Sequence, residues 1–386
     1  MFSKILLISL LIILDIITAN PCVSQTIVFI EDFEEATLQD MKDRWNEAVN
    51  LNGMSFSNDI PQASTGKQSL MMTYEAEKNS GGHLYKMFPQ GFDSIYARFY
   101  VKFAQTHHPV HHFVHLGGYN PPTRWPQGGA GNKPSGNDRF STGIEPMGDK
   151  WRWDFYTYWM NMRGNPQAGF YWGNDFNPVP PASVTRGEWI CVELMMKINN
   201  PTNSFNGEQA FWINGKKIHH LGQGFPRGNW VWDSFHPNND SLPFEGFRWR
   251  NDNNLKLNYF WLLYYMTGGA LGQRDTVWFD DVVVSSSYNG PIVTEVEDDF
   301  SISKDKFLSA FPNPTTGKFT IEMKNAKSRM GNEVIEIYNM FGEKVFQSEI
   351  TNPNYEINLN LPSGMYFYQM KDKHQTIYTG KIIIQY

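Results

Sequence analysis

Apolar residues in this chain come in short runs that alternate with polar ones, and no segment carries a long amphipathic helix. A period of two sends successive side chains to opposite faces of an extended strand, so the pattern commits the chain to sheets. Up to residue 290 such runs fall at 26–30, 69–73, 95–103, 151–159, 189–198, 210–213, 259–266 and 277–284, with turns rich in Gly, Pro and Asn between them. A single β-sandwich of jelly-roll type over residues 25–290 accommodates that number of strands. Shorter alternating runs follow at 318–322, 334–338, 355–359 and 365–368, separated by Asn313-Pro314-Thr315-Thr316-Gly317, Met340-Phe341-Gly342 and Leu361-Pro362-Ser363-Gly364. They predict a second, small β-sandwich over 307–386. Between the two, residues 291–306 carry Glu295, Glu297, Asp298 and Asp299, the composition of a solvated linker. The expected fold class is all-β throughout.

Residues 1–24 have the pattern of a secretory signal. Lys4 precedes the apolar run 5–14, which is too short to span a bilayer, and Cys22 and Ser24 are small residues at a cleavage site after position 24. The mature chain is then expected to have no transmembrane segment. It keeps one cysteine, Cys191, and cannot form an internal disulfide. A net charge of −6 argues against a nucleic-acid partner, which calls for a clustered basic excess. Aromatic residues make up 15% of the chain, 13 of them Trp, and none of the Trp lies beyond Trp278. Flat, rigid, amphipathic side chains at that density suit the stacking of sugar rings, so a polysaccharide is the expected partner of the first unit.

The strand faces narrow the search. Along 151–159, Trp151, Trp153, Phe155, Thr157 and Trp159 share one side, while Arg152, Asp154, Tyr156 and Tyr158 share the other. Along 189–198 the even positions are aliphatic or Met and the odd ones include Glu193 and Lys197. Either polar face could line a sugar groove. The Gly/Pro-rich segment 117–136, "GGYNPPTRWPQGGAGNKPSG", reads as a long loop that brings Tyr119, Arg124 and Trp125 to such a groove.

Two resemblances sharpen these expectations. "FPNPTTGKFTI" (311–321), "VIEIYNMFGEKVF" (334–346), "LPSGMYFYQM" (361–370) and "TGKIIIQY" (379–386) closely resemble the type A C-terminal sorting domain of the type IX secretion system of Bacteroidetes. That resemblance implies the secretion machinery as a partner, and delivery to the cell surface or the medium. "RGEWICVELMMKINNPTNSFNGEQAFWINGKKI" (186–218), "FEGFRWR" (244–250) and "YYMTGGALGQRDTVWFDDVVVSSSYNGP" (264–291) resemble the concanavalin-like jelly-roll polysaccharide lyases, particularly the group with family 14 alginate and glucuronan-type lyases. Such enzymes break acidic glycans by β-elimination with a tyrosine assisted by His, Arg, Gln, Asn or Lys. The resemblance implies that Tyr156 and Tyr158 are counterparts of the group's Tyr-x-Tyr pair, with Arg139 or Arg152 on the substrate carboxylate. The group's Ser-x-Arg order is reversed here, in "DRFSTG" (138–143).

Two other functions fit the same fold. A retaining glycoside hydrolase needs two carboxylates about 5–5.5 Å apart; Glu145, Asp154 and Glu193 supply them only if they converge from separate strands. A lectin-like module needs the aromatic residues alone. No cofactor is required for any of these activities. Asp280-Asp281 near the end of the sandwich and Glu31-Asp32 near its start form a candidate structural Ca²⁺ site if they meet on neighbouring strands, with Asp32, Asp280 and Asp281 as ligands.

The densest chemical cluster is "HHPVHHFVHLGG" (107–118), with five of the ten histidines. As a helix it would stack His107, His111 and His115; eight residues are marginal for one. As a strand it places His111, Phe113 and His115 on one face, with His111 and His115 about 13 Å apart, too far to share a Zn²⁺ ion. The expectation is therefore that His111 or His115 faces the sugar beside Tyr156 and Tyr158.

Overall fold

In the computed structural model the chain divides at residues 295/296 into two compact units. The structure describes residues 25–292, apart from 125–128 and 168, and residues 308–385, apart from 324–332, 340–341, 351 and 373–374. The signal segment, most of the linker and Trp125 lie outside the described residues.

The first unit is a jelly-roll β-sandwich. Its 8-stranded sheet runs, edge to edge, through Lys216–Leu221, Glu208–Ile213, Ile190–Lys197, Ser94–Phe103, Arg274–Ser285, Ser69–Glu75 and Met54–Ser57, with Ile27–Glu31 added on Arg274–Ser285. Its 11-stranded sheet is centred on Asn174–Phe176, Arg152–Tyr158, Arg139–Pro146, Val114–Tyr119, Leu257–Tyr265 and Gly81–Phe92, in that spatial order. Between the sheets, Phe99, Phe103, Phe113, Trp153, Phe260 and Phe279 belong to one continuous buried cluster. Burial of such side chains is what holds strands of this length together. One polar link crosses the core: the Thr142 and Thr157 hydroxyls lie 2.9 Å apart, and Thr157 donates to Oε1 of Gln209 on the opposite sheet. Among the described residues no helix is long and apolar enough to cross a membrane.

The alternation over 189–198 does not produce an open face. Ile190 through Met196 are all buried, because the segment after Arg274–Ser285 folds over the outer side of this sheet. Glu193 accepts hydrogen bonds there from the backbone N–H of Asn289 and Gly290 and from the Asn289 side chain, and Lys197 pairs with Glu208 at 2.8 Å. Both belong to the sheet opposite the tyrosines, so neither joins them.

In the histidine segment the strand begins only at Val114. Residues 107–113 are irregular, with an isolated bridge from His112 to Tyr265, and Phe113 and Val114 both enter the core. That break in the period moves His112, not His111, onto the side of His115. His111 is exposed, with Nδ1 3.2 Å from the Thr267 hydroxyl.

The second unit has a 3-stranded and a 4-stranded antiparallel sheet. Phe319, Ile321, Ile335, Ile337, Ile357 and Ile382 form its buried core.

Candidate functional site

On the outer face of the 11-stranded sheet, strand register lays side chains in a row across seven strands. Tyr85 pairs with Trp261, Trp261 with His115, His115 with Gly143, Gly143 with Tyr156, Tyr156 with Asp175, and Asp175 with Ser234. The next row places Tyr259, Gly117, Ser141 and Tyr158 side by side. In each row a glycine makes room for a ring. A Cβ on Gly143 would sit 2.5 Å from His115 Nε2, and one on Gly117 would sit 2.4 Å from the Tyr259 hydroxyl oxygen. Such separations are well inside contact distance, so both rings require the glycines beneath them.

Glu145 organises the histidines. His112 Nδ1 lies 3.0 Å from Glu145 Oε1, within hydrogen-bond range, and His115 Nε2 lies 3.4 Å from the same oxygen without hydrogen-bond alignment. Burial alone would raise the Glu145 carboxyl; the His112 charge and hydrogen bond, with support from His115, outweigh it and hold it at about 2. Burial disfavours the charged form of His112, and the adjacent carboxylate overcomes it, so the pKa of His112 is raised. For His115 burial prevails and its pKa is lowered. The result is a carboxylate, an imidazole that holds its proton more firmly, and a neutral imidazole, side by side in the sheet.

The tyrosines adjoin this group. The His112 ring packs on Tyr156 with centroids 5.0 Å apart, and the Tyr156 and Tyr158 hydroxyls are 3.5 Å apart. Burial, then the neighbouring Tyr158, pushes the pKa of Tyr156 up. Of the sequence candidates, His115, Tyr156 and Tyr158 are thus brought together, while His112 and Trp261 are additions the alternation does not reveal. The signal available for His112 was the adjacent apolar pair Phe113-Val114, which cannot both face the core in a regular strand.

The remaining candidates surround this centre. Tyr119 stacks on Tyr259 with centroids 5.6 Å apart, and burial pushes its pKa up to about 12. Arg139 donates to the carbonyls of Gly129 and Asn132, at 2.9 and 2.5 Å, and pairs with Asp138 at 3.0 Å; its guanidinium holds the loop rather than standing free for a carboxylate. Arg124 is exposed. Arg152 sits on the same face as Tyr156, beyond Asp154, beside a cleft of about 340 Å³ lined also by Lys150, Asn177, Ser234 and His236.

Carboxyls accumulate at that end. Glu145 is directly opposite Asp154, which is 2% exposed, with its Oδ1 unpartnered. Burial, then the charges of Glu145 and Asp175, raises the Asp154 pKa. Burial likewise brings Asp175 up to about 7.

Ile27–Glu31 pairs with Arg274–Ser285, with Glu31 opposite Val282, so the acids proposed for a cation do lie on neighbouring strands, and the charge of Asp32 acts on Asp281. Glu31, Asp32 and Glu35 lie close together, but Arg44 reaches all three, and Glu31 is further committed to Trp45 Nε1 and the Phe33 N–H. Asp280 is fully buried, and Oδ2 of Asp280 and Oδ2 of Asp281 have no hydrogen-bond partner. Burial and the charge of Asp281 bring Asp280 up to about 8. Two orphaned carboxylate oxygens suit a hard divalent cation as ligands.

Residues 309–385 match the family described as the secretion system C-terminal sorting domain. That domain marks proteins exported by the type IX secretion system to the cell surface or outside. No curated protein matches the chain. Among solved structures, the jelly-roll unit is similar to an alginate lyase from Chlorella virus, at 13% identity and a TM-score of 0.46, over 68% of this chain and 100% of that one. It is also similar to an alginate lyase mutant in complex with an alginate trisaccharide, at 16% identity and a TM-score of 0.37, over 57% and 82% of the two chains. A cellulose-induced protein gives 16% identity and a TM-score of 0.38, over 68% and 99%.

Proposed function

We propose that the jelly-roll unit is an exported lyase that cleaves an acidic, uronic acid-containing polysaccharide by β-elimination. The observation that carries this reading is the continuous group Glu145, His112, Tyr156 and Tyr158, with the neutral imidazole of His115 beside it. Elimination needs a base for the proton on C5, an acid for the departing glycosidic oxygen, and a positive group near the carboxylate. His115, whose neutral form burial favours, takes the C5 proton once substrate binding uncovers its Nε2, which is buried 3.4 Å from Glu145 Oε1. The C–H electron pair then forms the C4–C5 double bond as the C4–O bond breaks. Tyr156, kept protonated by burial, delivers its proton to the leaving oxygen, and after product leaves the proton held on His115 returns through solvent to Tyr156, restoring both groups. His112, whose positive form Glu145 favours, faces the carboxylate.

A second reading rests on Asp154. Asp154, whose pKa burial raises, and Glu145 opposite it, held low by the imidazoles, have pKa values pushed apart in the manner of an acid and a base flanking a glycosidic bond, and this supports hydrolysis. It is the weaker reading because Glu145 is engaged by two imidazoles and both carboxyls are buried. The full chain incubated with alginate, glucuronan and other uronic polysaccharides separates the readings. Unsaturated, ultraviolet-absorbing product supports elimination; reducing ends without that absorbance support hydrolysis; retardation in a glycan-containing gel with neither product leaves a lectin-like protein. Tyr156→Phe lowers formation of unsaturated product at least about a hundredfold if it is the acid.

We further propose that Asp280 and Asp281 bind a structural Ca²⁺, with Asp32 nearby and no role in the reaction. A rise in Tm on adding Ca²⁺ to chelator-treated protein supports the site, and an unchanged Tm refutes it.

A further inference from the structure

Three consecutive aromatic residues, Phe170, Tyr171 and Trp172, are 57%, 38% and 43% exposed on the segment between Arg152–Tyr158 and Asn174–Phe176. Large aromatics are worth most to a fold when buried, and leaving three adjacent ones in water forgoes that stabilisation. Their presentation is nevertheless well supported. Buried Asn174 accepts from Trp159 Nε1 and the Arg163 N–H and donates to the Arg163 carbonyl, tying both ends of the segment together. The Tyr171 N–H donates to the Gly131 carbonyl at 3.0 Å, and Lys133 Nζ stands 5.5 Å from the centre of the Tyr171 ring. Gly131 belongs in turn to the loop that Arg139 holds through Gly129 and Asn132.

The segment leads directly to the candidate site. Gly173, next to Trp172, lies against Tyr156 so closely that a Cβ there would be 2.5 Å from its Cζ. Phe170 and Trp172 pack against each other, with ring centres 5.6 Å apart and planes inclined by 51°. This leaves two differently tilted aromatic surfaces facing solvent at the border of the Tyr156 face.

We propose that Phe170, Tyr171 and Trp172 form a stacking subsite for the pyranose rings of an extended polysaccharide whose neighbouring residues occupy the Tyr156 face. The occupant is a glycan because the segment carrying the rings reaches the Tyr156 face at Gly173, next to Trp172, and because C–H faces of pyranoses match exposed rings of this size. This subsite rests on the glycan-cleaving or glycan-binding reading of that face, and it adds that substrate recognition extends past the bond that reacts.

The test is affinity electrophoresis of the full chain in gels containing alginate, glucuronan or a neutral glucan. The Phe170→Ala/Trp172→Ala double variant is compared with wild type and with Leu271→Ala, which truncates a still more exposed apolar residue, 78% exposed, elsewhere on the unit. Binding weakened about tenfold or more in the double variant, with wild-type affinity in Leu271→Ala and an unchanged Tm in both, supports the subsite. Retention of wild-type affinity by the double variant overturns the subsite and leaves the reading of the Tyr156 face intact. Absence of retardation of the wild-type chain by every glycan overturns both, and the triplet is then open to a protein partner.

Discussion

Replacing Glu145 with Gln removes the charge that fixes the states of His112 and His115 while preserving the volume of the side chain. The carboxyl is held at about 2, against an ordinary 4.5, although burial acts in the opposite direction. A difference of about 2.5 pH units at about 1.4 kcal/mol each makes the ionised form of Glu145 worth about 3 kcal/mol to the folded state at neutral pH. Because the folded pKa lies below the unfolded one, this contribution is present above about pH 4.5 and is lost as pH falls through about 2. The expected result in urea denaturation is that Glu145→Gln is about 3 kcal/mol less stable than wild type at pH 7, and that the two converge toward pH 2. Histidine titration by NMR supplies an independent readout. Without the carboxylate, burial alone acts on His112, and its pKa falls below the ordinary value instead of lying above it. Equal stabilities at pH 7, or an unchanged His112 titration, would refute the assignment of Glu145 as the organising charge.

Other outcomes follow from the same geometry. Gly143→Ala forces the His115 ring aside and costs about 1–3 kcal/mol, detected as a shift in the His115 NMR resonances together with a loss of unsaturated product. Asn174→Ala leaves the Trp159 indole N–H and the Arg163 N–H without their partner and lowers stability by about 3 kcal/mol in urea denaturation. Removal of residues 309–385 keeps the protein inside the producing cell, whereas the full chain is recovered at the surface or in the medium; fractionation and immunoblotting distinguish the two.

The alternating runs made the all-β architecture legible, since a period of two has few other realisations. The tail was legible from its strand and turn sequences, because each turn there needs its own Gly, Pro or Asn residues. The tyrosine face was also readable, as Arg152–Tyr158 keeps strict alternation and sends Tyr156 and Tyr158 to one side. Two things were not legible, for different reasons. His112 was hidden by a local break, since a strand pattern extrapolated back from Val114 sends it to the core side. Glu193 and Lys197 were misleading because a period of two identifies a polar face without saying which sheet carries it or what covers it. Glu193 is capped by Asn289 and Gly290, almost a hundred residues away in sequence, a relation that no local pattern contains.

The row from Tyr85 to Ser234 spans seven strands, and neighbouring strands are about 4.8 Å apart, so its ends are about 29 Å apart. Tyr85, Trp261, His115 and Gly143 are buried, so a polymer lying across the strands meets the row only from Tyr156 through Asp175 to Ser234, about 10 Å, and there the backbone hydrogen-bond ladder acts as a ruler. Under the proposed reaction, shorter oligomers leave gradations of that ruler unread, and product formation climbs with chain length until the open part of the row is covered.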